Sequence, residues 1–267
     1  MPATPDKYQT GTITWRKDHA PDLWSIKVRL DERLAFKPGQ YATLAVESGG
    51  RTIERAYSIV SAPHEDELEL FFELIPHGEL TPLLHPLQPG DTLRVRRRAK
   101  GAFLLDEASG RDLHAFFCTV TGIAPVVSIV RSLARRSEEG EAMRARLLVL
   151  QAASRSWELS YQGELEAAAH AHDWLRYVPL VSRPWEDDAW RGEVGRVEDV
   201  ARKHADLVGF EPGRTTAYVC GHPGMSENVK AILLRRGFPR ETIRVEAYWQ
   251  PPSRAPASSD AERDAPL

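Results

Sequence analysis

The 267-residue chain is long enough for two modest domains or one large one, and its 42% hydrophobic residues suffice to build buried cores. A formal net charge of -3 lacks the basic excess that is typical of nucleic-acid-binding proteins. No apolar run approaches the roughly 20 residues needed to span a bilayer, and the polar residues 1–10 contain no apolar signal core. We therefore expect a cytoplasmic protein that binds neither nucleic acid nor membrane.

The first part of the chain, up to about Leu105, predicts short strands. Apolar and polar residues partly alternate in four segments, as expected for half-buried strands; these are residues 12–15, 23–28, 41–46 and 68–74. Pro-Gly pairs at residues 38–39 and 89–90 mark turns. Many short strands separated by turns favour a small antiparallel β-barrel.

After about Gly110 the pattern changes to strands that alternate with helices, which predicts a parallel sheet flanked by helices. The predicted strands are residues 113–119, 146–151, 175–181, 216–220 and 242–246, and the predicted helices are residues 123–133, 160–170, 197–204 and 224–236. Such an α/β domain is typical of nucleotide binding, although the GxGxxG fingerprint is absent. We place the two domains at residues 1–108 and 109–249. Residues 250–267, rich in Pro, Ala, Ser and charge, predict a disordered tail.

The most informative motif is the stretch 55–58, which reads Arg-Ala-Tyr-Ser and follows a strand-like run. Because strand side chains alternate faces, Arg55 and Tyr57 are expected on one face and Ala56 and Ser58 on the other. Such a strand offers a charge for a phosphate, a flat face for a ring and a hydrogen bond for a ring edge. A flavin nucleotide needs all three. Taken alone, however, the four residues favour a half-exposed structural strand.

Four further segments follow in order: His-Gly-Glu-Leu-Thr at 77–81, Thr-Val-Thr-Gly-Ile-Ala-Pro at 119–125, Val-Cys-Gly-His-Pro-Gly-Met at 219–225 and Val-Glu-Ala-Tyr-Trp at 245–249. With the 55–58 motif, this ordered set resembles the ferredoxin–NADP(H) reductase family in its bacterial form. The resemblance runs from about Thr10 to Trp249, which is nearly the whole chain.

The resemblance implies a β plus α/β architecture in which the N-terminal antiparallel barrel binds FAD and the C-terminal parallel-sheet domain binds NADP(H). It implies an enzyme that exchanges electrons between NADP(H) and a separate one-electron carrier, a ferredoxin or flavodoxin, and that acts as a monomer. Two cysteines cannot hold an iron–sulfur cluster, so any such cluster belongs to the partner. The implied FAD-binding residues are Arg55, Ala56, Tyr57, Ser58, Gly78, Leu80, Thr81, Tyr248 and Trp249.

The resemblance also assigns the nucleotide and the chemistry. The implied NADP-binding residues are Thr121, Gly122, Ser154, Arg155, Arg183, Arg196, Gly221 and Met225. The implied catalytic residues are Ser58, Cys220, Glu246 and Tyr248, with Cys220 beside the nicotinamide, Glu246 as a proton relay and Tyr248 as a cover for the flavin. Each of these residues also has a plain structural explanation, such as a buried small residue or a solvated surface arginine.

Three local features carry their own expectations. Thr81 is expected to cap a short helix running to Leu87 and so to aim backbone amides at an anion. The family pattern Thr-Gly-Thr-Gly is here Thr-Val-Thr-Gly, and because a valine resists positive φ angles, Val120 predicts a differently shaped loop. Ser154 stands where the family often has an arginine, so the set expected to meet the extra phosphate of NADP is partial.

The remaining sequence leaves alternatives open. A basic cluster (Arg94, Arg96, Arg97, Arg98 and Lys100) is either a docking face for an acidic carrier or a solvated face. The acceptor is alternatively free flavin, a quinone or an oxygenase, and a binding protein that keeps the fold without the chemistry is a third possibility. Nine histidines scattered without ligand spacing predict no metal site.

Overall fold

The computed structural model describes residues 6–247, which form two six-stranded sheets. The first sheet is antiparallel throughout, in the order β4-β3-β6-β1-β2-β5. Its strands are β1 (Tyr8–Ala20), β2 (Leu23–Leu30), β3 (Tyr41–Ser48), β4 (Arg51–Ser58), β5 (Leu68–Glu73) and β6 (Thr92–Arg96), with one short helix, α1 (Thr81–Leu84). A bridge between Ile59 and Leu70 joins the two edges of this sheet, so the sheet closes into the predicted barrel.

One barrel strand was missed by the sequence analysis. β6 pairs with both β1 and β3, yet its residues had been assigned to the basic cluster. Leu93 and Val95 are buried inside the barrel, whereas Arg94 and Arg96 point outwards and form ion pairs. The alternation of apolar and charged residues is therefore that of a half-buried strand.

The second sheet is parallel, in the order β10-β9-β8-β7-β11-β12. Its strands are β7 (Leu113–Thr119), β8 (Arg146–Ala153), β9 (Leu175–Val181), β10 (Glu193–Val194), β11 (Thr215–Gly221) and β12 (Ile243–Ala247). Its helices are α2 (Ala124–Glu138), α3 (Gln162–Ala171), α4 (Val197–Leu207) and α5 (Pro223–Arg235). All residues of β11 are buried, as expected for a central parallel strand covered on both faces.

Helix α2 extends five residues beyond its predicted end at residue 133. Its last turn is polar and surface-exposed, where apolar periodicity gives no signal, and an ion pair between Arg135 and Glu139 at 2.7 Å supports it. The first turns of the same helix are almost entirely buried.

The two sheets share a core. Leu23, Val60 and Phe71 of the barrel pack in one cluster with residues 123–133 at the start of α2. Ser128 of that helix donates a hydrogen bond to the backbone oxygen of Ser61 at 2.7 Å. The antiparallel sheet ends at Arg96 and the parallel sheet begins at Leu113; the domain boundary at residue 108 stays a prediction.

Candidate active site

A cleft of ≈ 740 Å³ opens between the barrel and the carboxyl ends of the parallel strands. It lies where strand order reverses, between β7 and β11, which is the usual ligand-binding edge of an open parallel sheet. The cleft is within the size range of small-molecule sites, roughly 300–1,000 Å³. The predicted site residues that line it are Arg55, Ala56, Tyr57, Ser58, Gly78, Leu80, Thr81, Thr121, Ser154, Gly221 and Glu246.

Tyr57 presents its ring on the barrel wall of this cleft. The ring packs edge-on against Phe72, with centroids 4.8 Å apart, and burial raises the pKa of the phenol well above its usual value. The neighbouring Arg55 forms an ion pair with Glu79, which the sequence analysis did not single out. An aromatic face and a guanidinium therefore stand side by side on β4.

Ser58 and Glu246 meet across the cleft from opposite sheets. The Ser58 hydroxyl donates to Glu246 Oε1 at 2.8 Å. Burial raises the pKa of Glu246, and the bond from Ser58 opposes that rise because it stabilises the ionised carboxylate. A hydroxyl and a carboxyl with a raised pKa form a pair that can hold or pass a proton.

Thr81 does not cap a helix, which corrects the expectation from sequence. The helix spans only Thr81–Leu84, and Thr81 lies inside it, after Leu80. The Thr81 hydroxyl instead accepts a hydrogen bond from the Ile75 backbone N–H at 3.0 Å. Thr81 thus fixes the start of the loop that contains Gly78.

Two glycines allow the loops after β7 and β11 to approach each other closely. A Cβ on Gly122 would lie 2.2 Å from the Cys220 backbone oxygen, and one on Gly221 would lie 2.1 Å from Thr119 Oγ1. Gly221 also has φ 130°, which other residues rarely adopt. The His222 backbone N–H donates to Thr119 Oγ1 at 2.8 Å and ties the two loops together.

Val120 adopts the angle it was expected to resist. Its φ is 41°, in the left-handed region, so the loop takes a positive φ despite the β-branched side chain. A short 3₁₀ turn, Val120–Ile123, then leads directly into α2. Compared with a glycine at this position, Val120 therefore adds backbone strain and places an isopropyl group at the cleft wall.

Several predicted site residues do not line the cleft. Cys220 is fully buried in the core shared by the two sheets, and Met225, in the first turn of α5, is buried in a second core cluster with Val229 and Leu233. Within the described residues Cys220 and Cys118 form no disulfide, although they are opposite each other on β11 and β7. Burial raises the pKa of the Cys118 thiol. Gly122 is buried beneath the loop, and Tyr248 and Trp249 lie outside the described residues.

Arg155, Arg183 and Arg196 follow the carboxyl ends of the neighbouring strands β8, β9 and β10 but do not line the cleft, whereas Ser154 and Ser182, which precede the first two, do. Arg155 and Arg183 both pair with Glu186, the latter at 3.5 Å, and Arg155 also pairs with Glu158 at 3.1 Å. Neither acid was singled out from sequence. The available signal was the spacing, because each acid lies three residues after an arginine.

The basic cluster of the barrel is largely paired with acids. Arg94 binds Asp6 and Glu47, each at 2.9 Å, and Arg97 binds Glu32 at 2.7 Å. Ion pairing of this extent favours a solvated structural face over a free docking surface. Among residues 6–247 there is also no group of three or more candidate metal ligands, and no helix is long and apolar enough to cross a membrane.

Comparisons with known proteins agree with this geometry. Residues 11–103 match the oxidoreductase FAD-binding domain family, and residues 116–231 match the oxidoreductase NAD-binding domain family. The chain is 30% identical to a ferredoxin–NADP reductase of Pseudomonas aeruginosa, covering 79% of this chain and 83% of that protein. It is 29% identical to a flavodoxin/ferredoxin–NADP reductase of Escherichia coli, covering 81% and 86%. A crystal structure of a ferredoxin NADP+ reductase from Neisseria gonorrhoeae with bound FAD and NADP superposes with a TM-score of 0.79 at 27% identity, covering 90% of this chain and 98% of that one.

Proposed function

The chain belongs to the ferredoxin–NADP reductase family, and from this premise we propose that it exchanges electrons between NADP(H) and a separate ferredoxin or flavodoxin through an FAD held in the cleft. The observation that carries the proposal is that the 55–58 strand, the loop at 119–121 and Gly221 line one continuous cleft. In this proposal the barrel binds the flavin and the parallel sheet binds the nucleotide. The two ligands then meet at the boundary between the barrel and the parallel sheet.

The residues present fit FAD. Tyr57 offers a flat face held in place by Phe72, and Ser58 offers a hydroxyl for a ring edge. Arg55 supplies a planar set of donors suited to a phosphate. The loop from Gly78 to Thr81, fixed by the bond between Thr81 and Ile75, would supply backbone amides to the pyrophosphate.

The residues present also fit a dinucleotide at the sheet edge. Gly122 and Gly221 let the loops after β7 and β11 pack closely, which leaves Thr121 and Gly221 on the cleft wall, and the N-terminus of α2 follows at once. We assign the nucleotide to Thr121, Gly122, Ser154 and Gly221, with Arg155, Arg183 and Arg196 facing its extra phosphate. Cys220 and Met225 support this surface from beneath.

When bound, FAD accepts two electrons as a hydride and returns them one at a time, which suits it to link a nicotinamide to a one-electron carrier. The protein orients and insulates the reacting rings. The Ser58 hydroxyl and the Glu246 carboxyl are hydrogen-bonded at the wall of the cleft, where the pair can hold or pass a proton. Tyr248 and Trp249, which follow the described residues, are assigned to cover the flavin.

A cytoplasmic monomer and the domain limits 1–108 and 109–249 belong to the same proposal and are supported by the family resemblance. Two measurements on the purified protein test the proposed function. The first is its visible spectrum, and the second is anaerobic stopped-flow mixing with NADPH and then with NADH. We expect a bound flavin that NADPH bleaches rapidly, and subsequent reoxidation by ferredoxin or flavodoxin in single-electron steps.

Two results would contradict the proposal. A colourless protein that takes up no added FAD would favour a binding protein that keeps the fold without the chemistry. A flavin that NADPH reduces but that only a quinone, free flavin or an oxygenase reoxidises would assign the enzyme to another class of acceptor.

A further inference from the structure

Two short turns at the rim of the cleft are joined into one surface, which we call the turn ridge (residues 154–158 and 183–187). β8 and β9 are neighbouring parallel strands, and each is followed by a single 3₁₀ turn, Ser156–Glu158 and Pro184–Glu186. The Arg183 backbone N–H donates to the Ser154 oxygen at 2.9 Å, and the Ser156 hydroxyl bonds Asp187. The turn ridge is thus a defined structure at the place assigned to the adenosine end of the nucleotide.

The positive charges of the turn ridge are already paired with acids of the same chain. The Glu186 carboxylate lies between the guanidinium groups of Arg155 and Arg183. Its pKa is lowered, chiefly by the hydrogen bond from Arg155, so the carboxylate is ionised at neutral pH. The Glu158 carboxylate accepts the backbone N–H groups of Ser154 and Arg155, at 2.9 and 3.2 Å.

The faces of two tryptophans are exposed beside these charges. Trp185 is 72% exposed and Trp157 is 48% exposed, although large aromatic side chains are usually buried. The guanidinium of Arg155 lies 5.8 Å from the Trp157 ring. A flat base next to a charged group is the kind of ligand that such a surface accepts.

This arrangement bears on the choice between NADPH and NADH, and the inference rests on the proposed function above. We propose that Glu186 is a specificity-determining residue that competes with the 2′-phosphate of NADP(H) for Arg155 and Arg183, and so narrows the preference for NADPH over NADH.

The competition follows from the charges. A phosphate carries about -1.5 to -2 charge at neutral pH and offers three strong acceptors, so it displaces a single surface carboxylate. The displaced Glu186 stays within reach of the phosphate and repels it. A nucleotide with a free 2′-hydroxyl meets no such repulsion, because a hydroxyl donates to a carboxylate.

The experiment compares two fragments that differ only in the 2′-phosphate, 2′,5′-ADP and 5′-AMP. Their dissociation constants are measured by calorimetry on the FAD-loaded protein, at one ionic strength, for the wild type, Glu186→Gln and Asp188→Asn. Asp188 lies on the same exposed segment with the same charge, and among residues 6–247 its carboxylate forms no ion pair. The matched variant therefore controls for a general change in surface charge.

In Glu186→Gln we expect the preference for 2′,5′-ADP to rise by about five- to tenfold, and in Asp188→Asn by less than about twofold. An unchanged preference in Glu186→Gln overturns the proposal, because Glu186 would then not compete with the phosphate. A reduced preference also overturns it, because Glu186 would then be a positioning group for the arginines. Equal gains in the two variants overturn it as well. The flavin spectrum and its bleaching by NADPH in the same samples test the proposed function separately, so the two failures are distinguishable.

Discussion

The Ser58 hydroxyl and the Glu246 carboxylate, 188 residues apart in sequence, form a 2.8 Å hydrogen bond that joins the barrel to the parallel sheet. Ser58 ends β4 and Glu246 lies in β12, an edge strand of the parallel sheet. Their contact therefore depends on both sheets being correctly placed. It also puts a titratable group where the flavin and the nicotinamide are proposed to meet.

Replacing Ser58 tests the role of this hydroxyl. In Ser58→Ala we expect flavin reduction by NADPH to slow by roughly tenfold to a hundredfold, with FAD still bound, because the hydroxyl that holds the Glu246 carboxyl beside the proposed flavin site is lost. Single-turnover stopped-flow absorbance measures the rate. Ser48→Ala, at the opposite end of the same hairpin, is the control and should reduce at the wild-type rate. An unchanged rate in Ser58→Ala would remove the hydroxyl from the chemistry.

The raised pKa of Glu246 predicts the pH dependence of the same rate. The carboxyl stays protonated to a higher pH than a free glutamate with a pKa of 4.5, and it ionises only above the raised value. We expect one transition in the pH profile above about pH 4.5 that is absent in Glu246→Gln. In Ser58→Ala the transition should move to still higher pH, because the bond that stabilises the carboxylate is gone. A profile that keeps its transition in Glu246→Gln would assign the titration to another group.

Gly122 should tolerate no side chain. An alanine Cβ there would lie 2.2 Å from the Cys220 oxygen, so the two loops would have to separate. We expect Gly122→Ala to lower the free energy of unfolding by about 2–4 kcal/mol, measured by urea denaturation. Gly163, in α3 with open space around it, is the matched control, and Gly163→Ala should stabilise by roughly 0.5–1 kcal/mol. Similar effects at both positions would show that the loops are not tightly apposed.

The buried His114 predicts a loss of stability in acid. It is 1% exposed, and burial lowers its pKa from 6.5 to about 4. Below pH 6.5 the unfolded chain therefore binds a proton that the folded protein excludes. The free energy of unfolding is not reduced by this group above pH 6.5, and it decreases as the pH falls towards 4. Between about pH 7 and pH 4.5, we expect the wild type to lose about 2–3 kcal/mol more stability than His114→Gln. The exposed His64→Gln should follow the wild type, and parallel curves for all three proteins would contradict the prediction.

Most of the fold could be predicted from the sequence, because most of its strands are short segments rich in apolar residues. Strands β7 and β9 match their predicted bounds to the residue, since both are short runs rich in apolar residues. β6 was missed because its arginines dominate a five-residue segment. Their partners are acids such as Glu47 and Glu54, more than 40 residues away, and no local pattern reveals such pairs.

The sequence motifs predicted many of the residues that line the site, but they did not predict the contacts that these residues form. The motifs located the strand and loop residues that line the cleft, because a ligand-binding loop keeps its residue types together. The hydroxyl bond of Thr81 to Ile75 depends on how one loop folds back. The pairing of Glu186 with Arg155 depends on two separate turns coming together. The left-handed Val120 was unexpected because tertiary packing overrode its own preference.

Helix α2 has a consequence for protein engineering. The helix begins directly after the loop at 119–123 and packs into the same core cluster as Leu23, Val60 and Phe71, and Phe71 also lines the cleft. The width of the gap that a hydride must cross is thus fixed by interior packing. A chimera that joins this barrel to the α/β half of a relative should fold yet transfer hydride poorly. Hydride transfer should recover when the surface of α2 is exchanged together with the barrel residues that pack in the same core, Leu23, Val60 and Phe71.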